Sequence, residues 1–253
     1  MRALPLTLAL LTLAACDAPQ APPLTTAADS LAMRIADAHG GLAAWQQAPP
    51  LRFDWTVVRD TGAGPVELVR RHHIVDNAGG RHRAEWAVGE DSVAVAILDM
   101  SASTEGAVVG SAQINGAAAP DSLLDDAYGM AINDVYWLAA HFKTLDPGVR
   151  RALAPDSAAA GEAVLALSFD GVGLTPGDRY WMTADAATGE MRSWTYVLEG
   201  SDEASTWAWV EPGEAGGLRF AQSKAKPDGA QIRTELVGDV PADAMTTLSP
   251  LFR

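Results

Sequence analysis

Cysteine, lysine and long apolar runs are scarce in this chain. The 253 residues contain one cysteine, Cys16, and the only lysines are Lys143, Lys224 and Lys226. A single cysteine excludes an intramolecular disulfide framework and a zinc site built on cysteines. The apolar run over residues 3–15 is shorter than the roughly twenty residues that a membrane-spanning helix needs, so the sequence predicts no such helix.

Acidic residues outnumber basic ones by a wide margin. The sequence has 32 Asp and Glu against 18 Lys and Arg, which gives a formal net charge of −14. A chain of this charge is repelled by nucleic-acid phosphates and by anionic lipid headgroups. We therefore expect no nucleic-acid partner, and membrane attachment cannot depend on a basic patch.

Common catalytic motifs are also missing. The sequence has no Gly-x-Ser-x-Gly nucleophile elbow and no His-Glu-x-x-His zinc helix. The glycines of residues 171–177 have the wrong spacing for a dinucleotide loop, and Pro176 stands where the helix would begin. The sequence therefore predicts no enzyme, no cofactor and no metal. A hydrolase whose Ser, Asp and His side chains converge only in space stays open as an alternative.

The N-terminal segment has the layout of an export signal. Arg2 supplies a positive start, residues 3–12 are apolar, and small residues precede Cys16. The ending Leu13-Ala14-Ala15-Cys16 resembles the lipobox of bacterial lipoproteins. That resemblance implies cleavage before Cys16 and a thioether-linked diacylglyceryl group on its sulfur, and more than one acyl chain makes anchoring stable. Ordinary secretion with a chance cysteine is the alternative.

The lipobox sets the expected location and domain organisation. We expect a signal peptide at residues 1–15, a lipidated Pro-rich tether at 16–25, and a single domain at 26–253 that faces the periplasm from the bacterial cell envelope. Asp17 resembles the inner-membrane retention signal of enteric bacteria. It weakly favours the inner over the outer membrane.

Three segments are predicted to be helical. Apolar residues recur at steps of three and four over 26–46 and again over 122–144. Gly40-Gly41 predicts a break in the first helix. Residues 149–154 are predicted to form a further short helix.

Strand-like alternation fills most of the remaining chain. Glycine, asparagine and aspartate turns separate the runs, which is typical of antiparallel hairpins. The predicted strands are 51–57, 66–75, 81–88, 92–99, 107–114, 162–170, 178–185, 190–199, 205–211, 217–224 and 230–237. Five strands, a helical insertion and six strands predict a mainly β (α+β) fold. Its large antiparallel sheet is expected to curl into a half-barrel, with the N-terminal helix and the central insertion covering the concave face.

Three motifs together suggest a family. They are Ala38-His39-Gly40-Gly41-Leu42-Ala43-Ala44-Trp45, then Asp134-Val135-Tyr136-Trp137-Leu138 with Thr144-Leu145-Asp146-Pro147-Gly148-Val149, and Tyr180-Trp181-Met182 through Asp185-Ala186-Ala187-Thr188-Gly189-Glu190-Met191 to Tyr196. Their order and spacing resemble a bacterial envelope lipoprotein family of unknown function, which is similar in architecture to the lipoprotein carriers LolA and LolB. The resemblance implies a hollow that suits an acyl chain. It supplies no catalytic residue.

One arginine is a candidate for ligand binding. The turns at 61–64 and 77–80 suggest a strand register that places Trp55, Arg70 and Trp86 side by side on the apolar face. An arginine between two tryptophans makes cation–π contacts, and it is interpreted either as an anchor for an anionic ligand head or as a structural residue closing a barrel end. The opposite, exposed face of the same register carries an acid–base–acid row: Asp54, Arg71 and Glu85.

Eight tryptophans are many for this length. They could line a lipid-binding hollow or fill a large core. Alternation places Trp194 and Tyr196 on one face of the sheet and Trp207 and Trp209 on the other. The candidate ligand-binding residues are Trp55, Arg70, Trp86, Trp137, Trp181, Trp194 and Tyr196.

The histidines do not form a predicted metal site. His72 and His73 are adjacent in a strand and point to opposite faces. The predicted register puts His72 and His82 on one face, but no third ligand accompanies them. His39 is expected to cap a helix end or to pack locally, and His141 is expected on the polar face of its helix.

Three functions follow from these observations. The leading hypothesis is a lipid-anchored envelope protein that binds a hydrophobic ligand, an acyl chain or lipid, in the half-barrel. The alternatives are a non-enzymatic envelope scaffold with a filled core and the hydrolase. The sequence names no protein partner.

Overall fold

The computed structural model describes residues 24–252. Within that range the α-helices are α1 (Ala27–Ala38), α2 (Leu42–Gln46) and α3 (Ser122–Lys143), and a short 3-10 helix spans Pro155–Ser157. The strands are β1 (Leu51–Asp60), β2 (Pro65–Asp76), β3 (Arg81–Ala87), β4 (Val93–Asp99), β5 (Gly110–Ile114), β6 (Ala117–Ala118), β7 (Val149–Leu153), β8 (Glu162–Phe169), β9 (Arg179–Asp185), β10 (Met191–Val197), β11 (Ala204–Ala215), β12 (Leu218–Ala225) and β13 (Gln231–Leu236).

All these strands join in one antiparallel sheet, in the order β6-β5-β4-β3-β2-β1-β13-β12-β11-β10-β9-β8-β7. The two halves of the chain meet where β1 pairs with β13, so β6 and β7 form the edges. Helix α3 crosses the concave face against β3–β5 and β12–β13, while α1 packs on β7 and β8. The predicted fold class, a curved antiparallel half-barrel with helices over its concave face, is confirmed.

Helix α1 and the break that follows it agree with the predicted pattern. Thr26 and Asp29 form a reciprocal capping box at the start of α1, which satisfies backbone donors that a helix leaves free. The predicted break falls at Gly40 and Gly41, whose φ angles are 108° and 95°. A Cβ on Gly40 would lie 2.5 Å from the carbonyl oxygen of Gly217, so both backbone conformation and space require glycine there.

The predicted helix at residues 149–154 is wrong, because Val149–Leu153 forms the edge strand β7. It pairs with β8 from Val149–Phe169 to Leu153–Leu165. Five residues are too few to stabilise a helix alone, and pairing with β8 satisfies their backbone groups instead. With β7 and the two-residue β6, the sheet has six strands before α3 and seven after it, against the five and six predicted.

The concave side holds most of the core. Small and aliphatic residues of α1 pack on β8 and β9, and the first turns of α3 pack on β3 and β4. Between them lies a cluster of large aromatic side chains: Trp45, Phe53, Trp55, Trp137, Phe142, Trp194, Trp207 and Phe220. These rings occupy much of the interior that an empty half-barrel would leave open.

The C-terminal residues 239–252 cover the convex side of the sheet, a feature that sequence periodicity does not predict. Arg83 donates to the carbonyl oxygens of Ala244, Thr247 and Ser249. Its partner Glu85 accepts from Arg83 at 2.6 Å and from the backbone N–H groups of residues 251 and 252. Both side chains are fully buried. The C-terminal segment is therefore held to the sheet by a buried ion pair.

No helix within residues 24–252 combines the length and apolarity needed to cross a bilayer. The predicted signal peptide, Cys16, Asp17 and most of the tether lie outside the described residues.

Candidate functional site

An apolar cleft opens between α3 and the loop that joins β8 to β9. Its volume is about 200 Å³, and its lining contains no charged side chain. The lining residues are Ile132, Asn133, Tyr136, Phe169, Val172, Gly173, Leu174, Thr175, Tyr180 and Trp194. An apolar concavity with a few polar atoms is typical of a small-molecule site, so this cleft is the candidate site.

Aromatic rings continue from the cleft into the interior. The ring centroid of Trp194 lies 5.4 Å from that of Tyr136, 4.7 Å from Trp137 and 5.6 Å from Tyr196. Trp207 lies 5.2 Å from Trp137. Three of the sequence-predicted candidates, Trp137, Trp194 and Tyr196, thus lie together at the cleft or directly behind it.

The predicted separation of Trp207 and Trp209 from Trp194 is wrong. Trp194 pairs directly with Trp207 across β10 and β11, and residues directly opposite each other in an antiparallel pair project from the same face. Trp209 also turns inward, 5.0 Å from the ring of His141. Alternation within one strand does not fix its face relative to the next strand, because the face depends on how the two strands pair.

Two hydrogen-bond donors at the cleft lack an acceptor among the described residues. They are the hydroxyl of Tyr136 and Nε1 of Trp194, both buried as atoms. Burial raises the pKa of Tyr136 well above its usual value, so its hydroxyl keeps its proton and remains a donor. These two donors can hydrogen-bond an acceptor atom of a ligand in an otherwise apolar site.

A buried carboxylate organises the rim of the cleft. Asp178 accepts hydrogen bonds from the hydroxyls of Thr175 (2.7 Å) and Tyr180 (3.0 Å) and from the backbone N–H of Glu199 (2.8 Å). Burial first, then the negative charge of Asp178, raise the pKa of Tyr180. Asp178 therefore orders the loop beside the cleft, and the three hydrogen bonds that it accepts compensate for the burial of its carboxylate.

The predicted Trp55–Arg70–Trp86 row is wrong by one residue, because Trp55 pairs with Arg71 and Arg71 pairs with Trp86. A β-bulge between Val57 and Val58 shifts the β1–β2 register, and such a shift exchanges the two faces. The Arg71 guanidinium lies 4.6 Å from the Trp55 ring centroid. The cation–π contact exists, with Arg71 in the place predicted for Arg70.

Arg70 lies on the convex side instead, where its side chain is 40% exposed. It donates to Asp54 (2.9 Å) and to Glu67 (2.6 Å), and His72 bonds to the other oxygen of Asp54 at 2.7 Å. Burial alone would raise the pKa of Asp54, but the hydrogen bonds from His72 and Arg70 lower it overall. The predicted exposed row of Asp54, Arg71 and Glu85 is likewise wrong, since His72 occupies its middle position.

The remaining candidates do not reach the cleft. Trp86 packs with the first turns of α3 in a separate cluster. Trp181 lies beside Arg179, whose guanidinium is 5.9 Å from its ring, while its neighbours Tyr180 and Met182 face the core. A strand alternates its side chains between faces, so Trp181 is on the convex side.

Sequence reasoning missed a buried polar chain that ties α3 to the sheet. Arg71 donates to both carboxylate oxygens of Asp134 at 3.0–3.1 Å. His73 Nε2 lies 2.9 Å from the same carboxylate, and His73 Nδ1 lies 2.9 Å from Nε2 of His82. An ionised carboxylate only accepts, so His73 donates from Nε2 to Asp134, and its Nδ1 accepts a hydrogen bond from the Nε2–H of neutral His82. The sequence signal for this chain of polar groups is Asp134, an acidic residue on the buried face of α3.

Two of the histidine predictions are wrong. His82 lies beside His73 and not on the face of His72, because Val75 pairs with His82 and not with Arg81 as the predicted register requires. His141 is fully buried, 4.5 Å from the ring of His39, and not on a polar face. No group of three or more His, Cys, Asp or Glu residues in the part of the chain that the structure describes is arranged to hold a metal.

These buried histidines predict a loss of stability in acid. Burial is the main cause that lowers the pKa of both His82 and His141 well below the usual value. The unfolded chain binds protons on these histidines below pH ~6.5, while the folded chain does not. Stability should therefore fall as pH drops below that value, by up to about 1.4 kcal/mol per histidine per pH unit.

Urea unfolding at pH 7.5 and 5.5 measures this effect, and we expect a loss of about 3 kcal/mol. A His141→Phe variant is the control, since it should lose about half as much over the same interval. Equal midpoints at both pH values would show that neither histidine is held neutral by burial.

No protein-family model matches the sequence, and no curated protein matches it either. Several solved structures resemble the fold. A LolA superfamily protein from Nitrosomonas europaea is 8% identical with a TM-score of 0.48, and the match covers 88% of this chain and 99% of that chain. A domain described as an outer membrane lipoprotein-sorting protein from Vibrio parahaemolyticus is 9% identical with a TM-score of 0.45, covering 86% and 95%. A DUF1329 family protein from Desulfovibrio piger is 10% identical with a TM-score of 0.40, covering 85% and 94%.

A LolA superfamily protein, whose fold the sequence motifs suggest, is thus among the solved structures that this chain resembles. Identities of 8–10% concern the fold alone. No ligand or activity passes from those proteins to this chain on that basis.

Proposed function

We propose that this chain is a lipid-anchored cell-envelope protein that binds a hydrophobic ligand, an acyl chain or lipid, on the concave side of its half-barrel. The observation that carries the proposal is the cleft beside α3. Its walls are aromatic and aliphatic, it is open to solvent, and its lining has no charged side chain. Burying an acyl chain there removes apolar surface from water on both partners, which contributes about 25 cal/mol for each Å².

The size of the cleft limits how much of an acyl chain it can hold. At about 200 Å³ it is smaller than the roughly 300–1,000 Å³ of ordinary ligand pockets, so it holds one end of a chain. A longer ligand needs α3 to move away from the aromatic cluster. The backbone of α3 departs from helical geometry at Ala139, with φ −129° and ψ 21°. The segment 122–138 is therefore the part of α3 that moves in the proposed mechanism.

The membrane anchor of the proposal is the diacylglyceryl group on Cys16, and Asp17 weakly favours the inner membrane. Growth of expressing cells with labelled palmitate tests this part. The protein should become labelled, and a Cys16→Ser variant should carry no label because it lacks the only thiol in the chain. Labelling of the serine variant would show that the lipid is attached elsewhere.

A second candidate function is an envelope scaffold with a filled core. It is favoured by the aromatic cluster, in which Trp137 lies within 5.2 Å of both Trp194 and Trp207. Such a protein would use its acidic outer surface to contact partners and would take up no ligand.

A third candidate is the hydrolase. It would use a histidine to activate a hydroxyl nucleophile. The Asp134-bound His73 directs its other nitrogen to His82, and all three side chains are buried. The geometry around His73 therefore supports a structural role for this chain of polar groups.

Mass spectrometry of extracted lipid separates the first two functions. The segment 24–253, which contains every described helix and strand, is purified without detergent. Lipid at a molar ratio near one is expected if the chain binds acyl ligands. A folded protein that carries no lipid and takes up no added fatty acid or ester would contradict the proposal and favour the scaffold.

A further inference from the structure

Two buried hydrogen-bond donors distinguish the cleft from a purely apolar surface. Trp194 is 3% exposed, and its Nε1–H has no acceptor among the described residues. The hydroxyl oxygen of Tyr136 is also buried and unpaired. The two rings border the same cleft and their centroids are 5.4 Å apart. Leaving a buried donor unpaired is costly, and such groups in native proteins call for an explanation.

The charges around the cleft restrict which acceptor fits. No Lys, Arg or His lines it, so a carboxylate ligand would find no cation. Asp178 lies at its rim, bonded to the hydroxyls of Tyr180 and Thr175, and its negative charge disfavours a second anion. A neutral carbonyl oxygen has neither problem, since it accepts two hydrogen bonds without bringing a charge into an apolar site.

We propose that the cleft recognises the neutral ester or amide carbonyl of an acylated ligand, with Tyr136 and Trp194 as its two hydrogen-bond donors. This inference rests on the proposed function and narrows it. The ligand is an acyl ester or amide, and free fatty acids and plain hydrocarbons bind more weakly. The acyl chain beyond the carbonyl lies along Ile132, Phe169 and Leu174.

Matched probes of one chain length test the proposal on the purified protein. They are methyl dodecanoate, 1-methoxydodecane, which lacks the carbonyl, and dodecanoate, which carries a charge. Binding is followed by tryptophan fluorescence, for which Trp194 is a reporter inside the site. Because one neutral hydrogen bond corresponds to roughly a fivefold change in affinity, the ester should bind about five to ten times tighter than the ether.

The Tyr136→Phe variant removes one donor and keeps the ring. We expect its affinity for the ester to fall about fivefold and its affinity for the ether to stay within about twofold of the unmodified protein. Its melting temperature without ligand should rise by about 2–4 °C, because a buried unpaired hydroxyl has been removed. Tyr128→Phe, a tyrosine of α3 outside the cleft, is the control and should change neither affinity.

The results of these binding experiments distinguish carbonyl recognition from hydrophobic binding in general. If ester and ether bind equally and Tyr136→Phe changes neither, carbonyl recognition is wrong while hydrophobic binding stands. If no probe binds, both are wrong. A lower melting temperature for Tyr136→Phe would also overturn the inference, since it would show that the hydroxyl already has a stabilising partner within the protein.

Discussion

Replacing Asp134 by alanine is expected to lower the free energy of unfolding by about 3–5 kcal/mol. The carboxylate is fully buried and neutralises Arg71 while it accepts from His73. Its removal leaves a guanidinium and an imidazole beneath α3 without their partner. Arg71 keeps 24% exposure and can turn partly toward water, so the lower end of that range is expected. A loss this large is a substantial part of the 5–15 kcal/mol that is typical of a domain.

Urea unfolding of the Asp134→Ala variant measures the effect. Asp126→Ala is the matched control, because Asp126 is an exposed aspartate of the same helix and its loss should cost about 0.5 kcal/mol or less. If the two variants lose equal stability, the buried chain from Arg71 to His82 does not hold α3 to the sheet.

Replacing Glu85 by alanine is expected to cost a similar 3–5 kcal/mol and to free the C-terminal segment. Among the described residues, Glu85 is the only carboxylate bonded to Arg83, and both are fully buried on the convex side. It also accepts the backbone N–H groups of Leu251 and Phe252. Its loss leaves the charge of Arg83 and these two N–H groups unsatisfied at once.

Limited proteolysis adds a readout that stability alone does not give. Residues 239–252 should be cleaved much faster in Glu85→Ala than in the unmodified protein, at a temperature where both remain folded. Glu90→Ala, an exposed glutamate just beyond β3, should leave cleavage unchanged. Equal cleavage in all three proteins would mean that the ion pair does not retain the C-terminal segment.

Much of the fold could be predicted because its signals are local. The periodicity of residues 27–38 and 122–143, the glycines at 40 and 41, and the turns between strands each act within a few residues. The exception is β7, where Val149–Leu153 gains its structure from pairing with β8. Arg83 shows the same limit, since the backbone carbonyls to which it donates lie more than 160 residues away in the chain.

The site could be predicted only in part, because its geometry depends on register. The bulge between Val57 and Val58, together with a β2–β3 register that differs by one residue from the predicted one, places Arg71 instead of Arg70 between the tryptophans. Alternation within β10 predicts that Trp194 and Tyr196 share a face. The face of Trp207 depends on the pairing of β10 with β11, which the sequence does not reveal. The unpaired donors of Tyr136 and Trp194 leave no sequence signal, since pairing is a property of the packed interior.

Photochemical crosslinking tests the central claim, that an acylated ligand occupies the concave side, most directly. A methyl palmitate analogue with a diazirine on its chain is bound, irradiated and mapped by peptide mass spectrometry. We expect crosslinks within residues 132–136 and 169–175 or at Trp194, and we expect excess unlabelled ester to reduce this labelling. Labels confined to the convex side, such as Trp181, Arg150 and Ala152, or no label that excess ester removes, would contradict this claim.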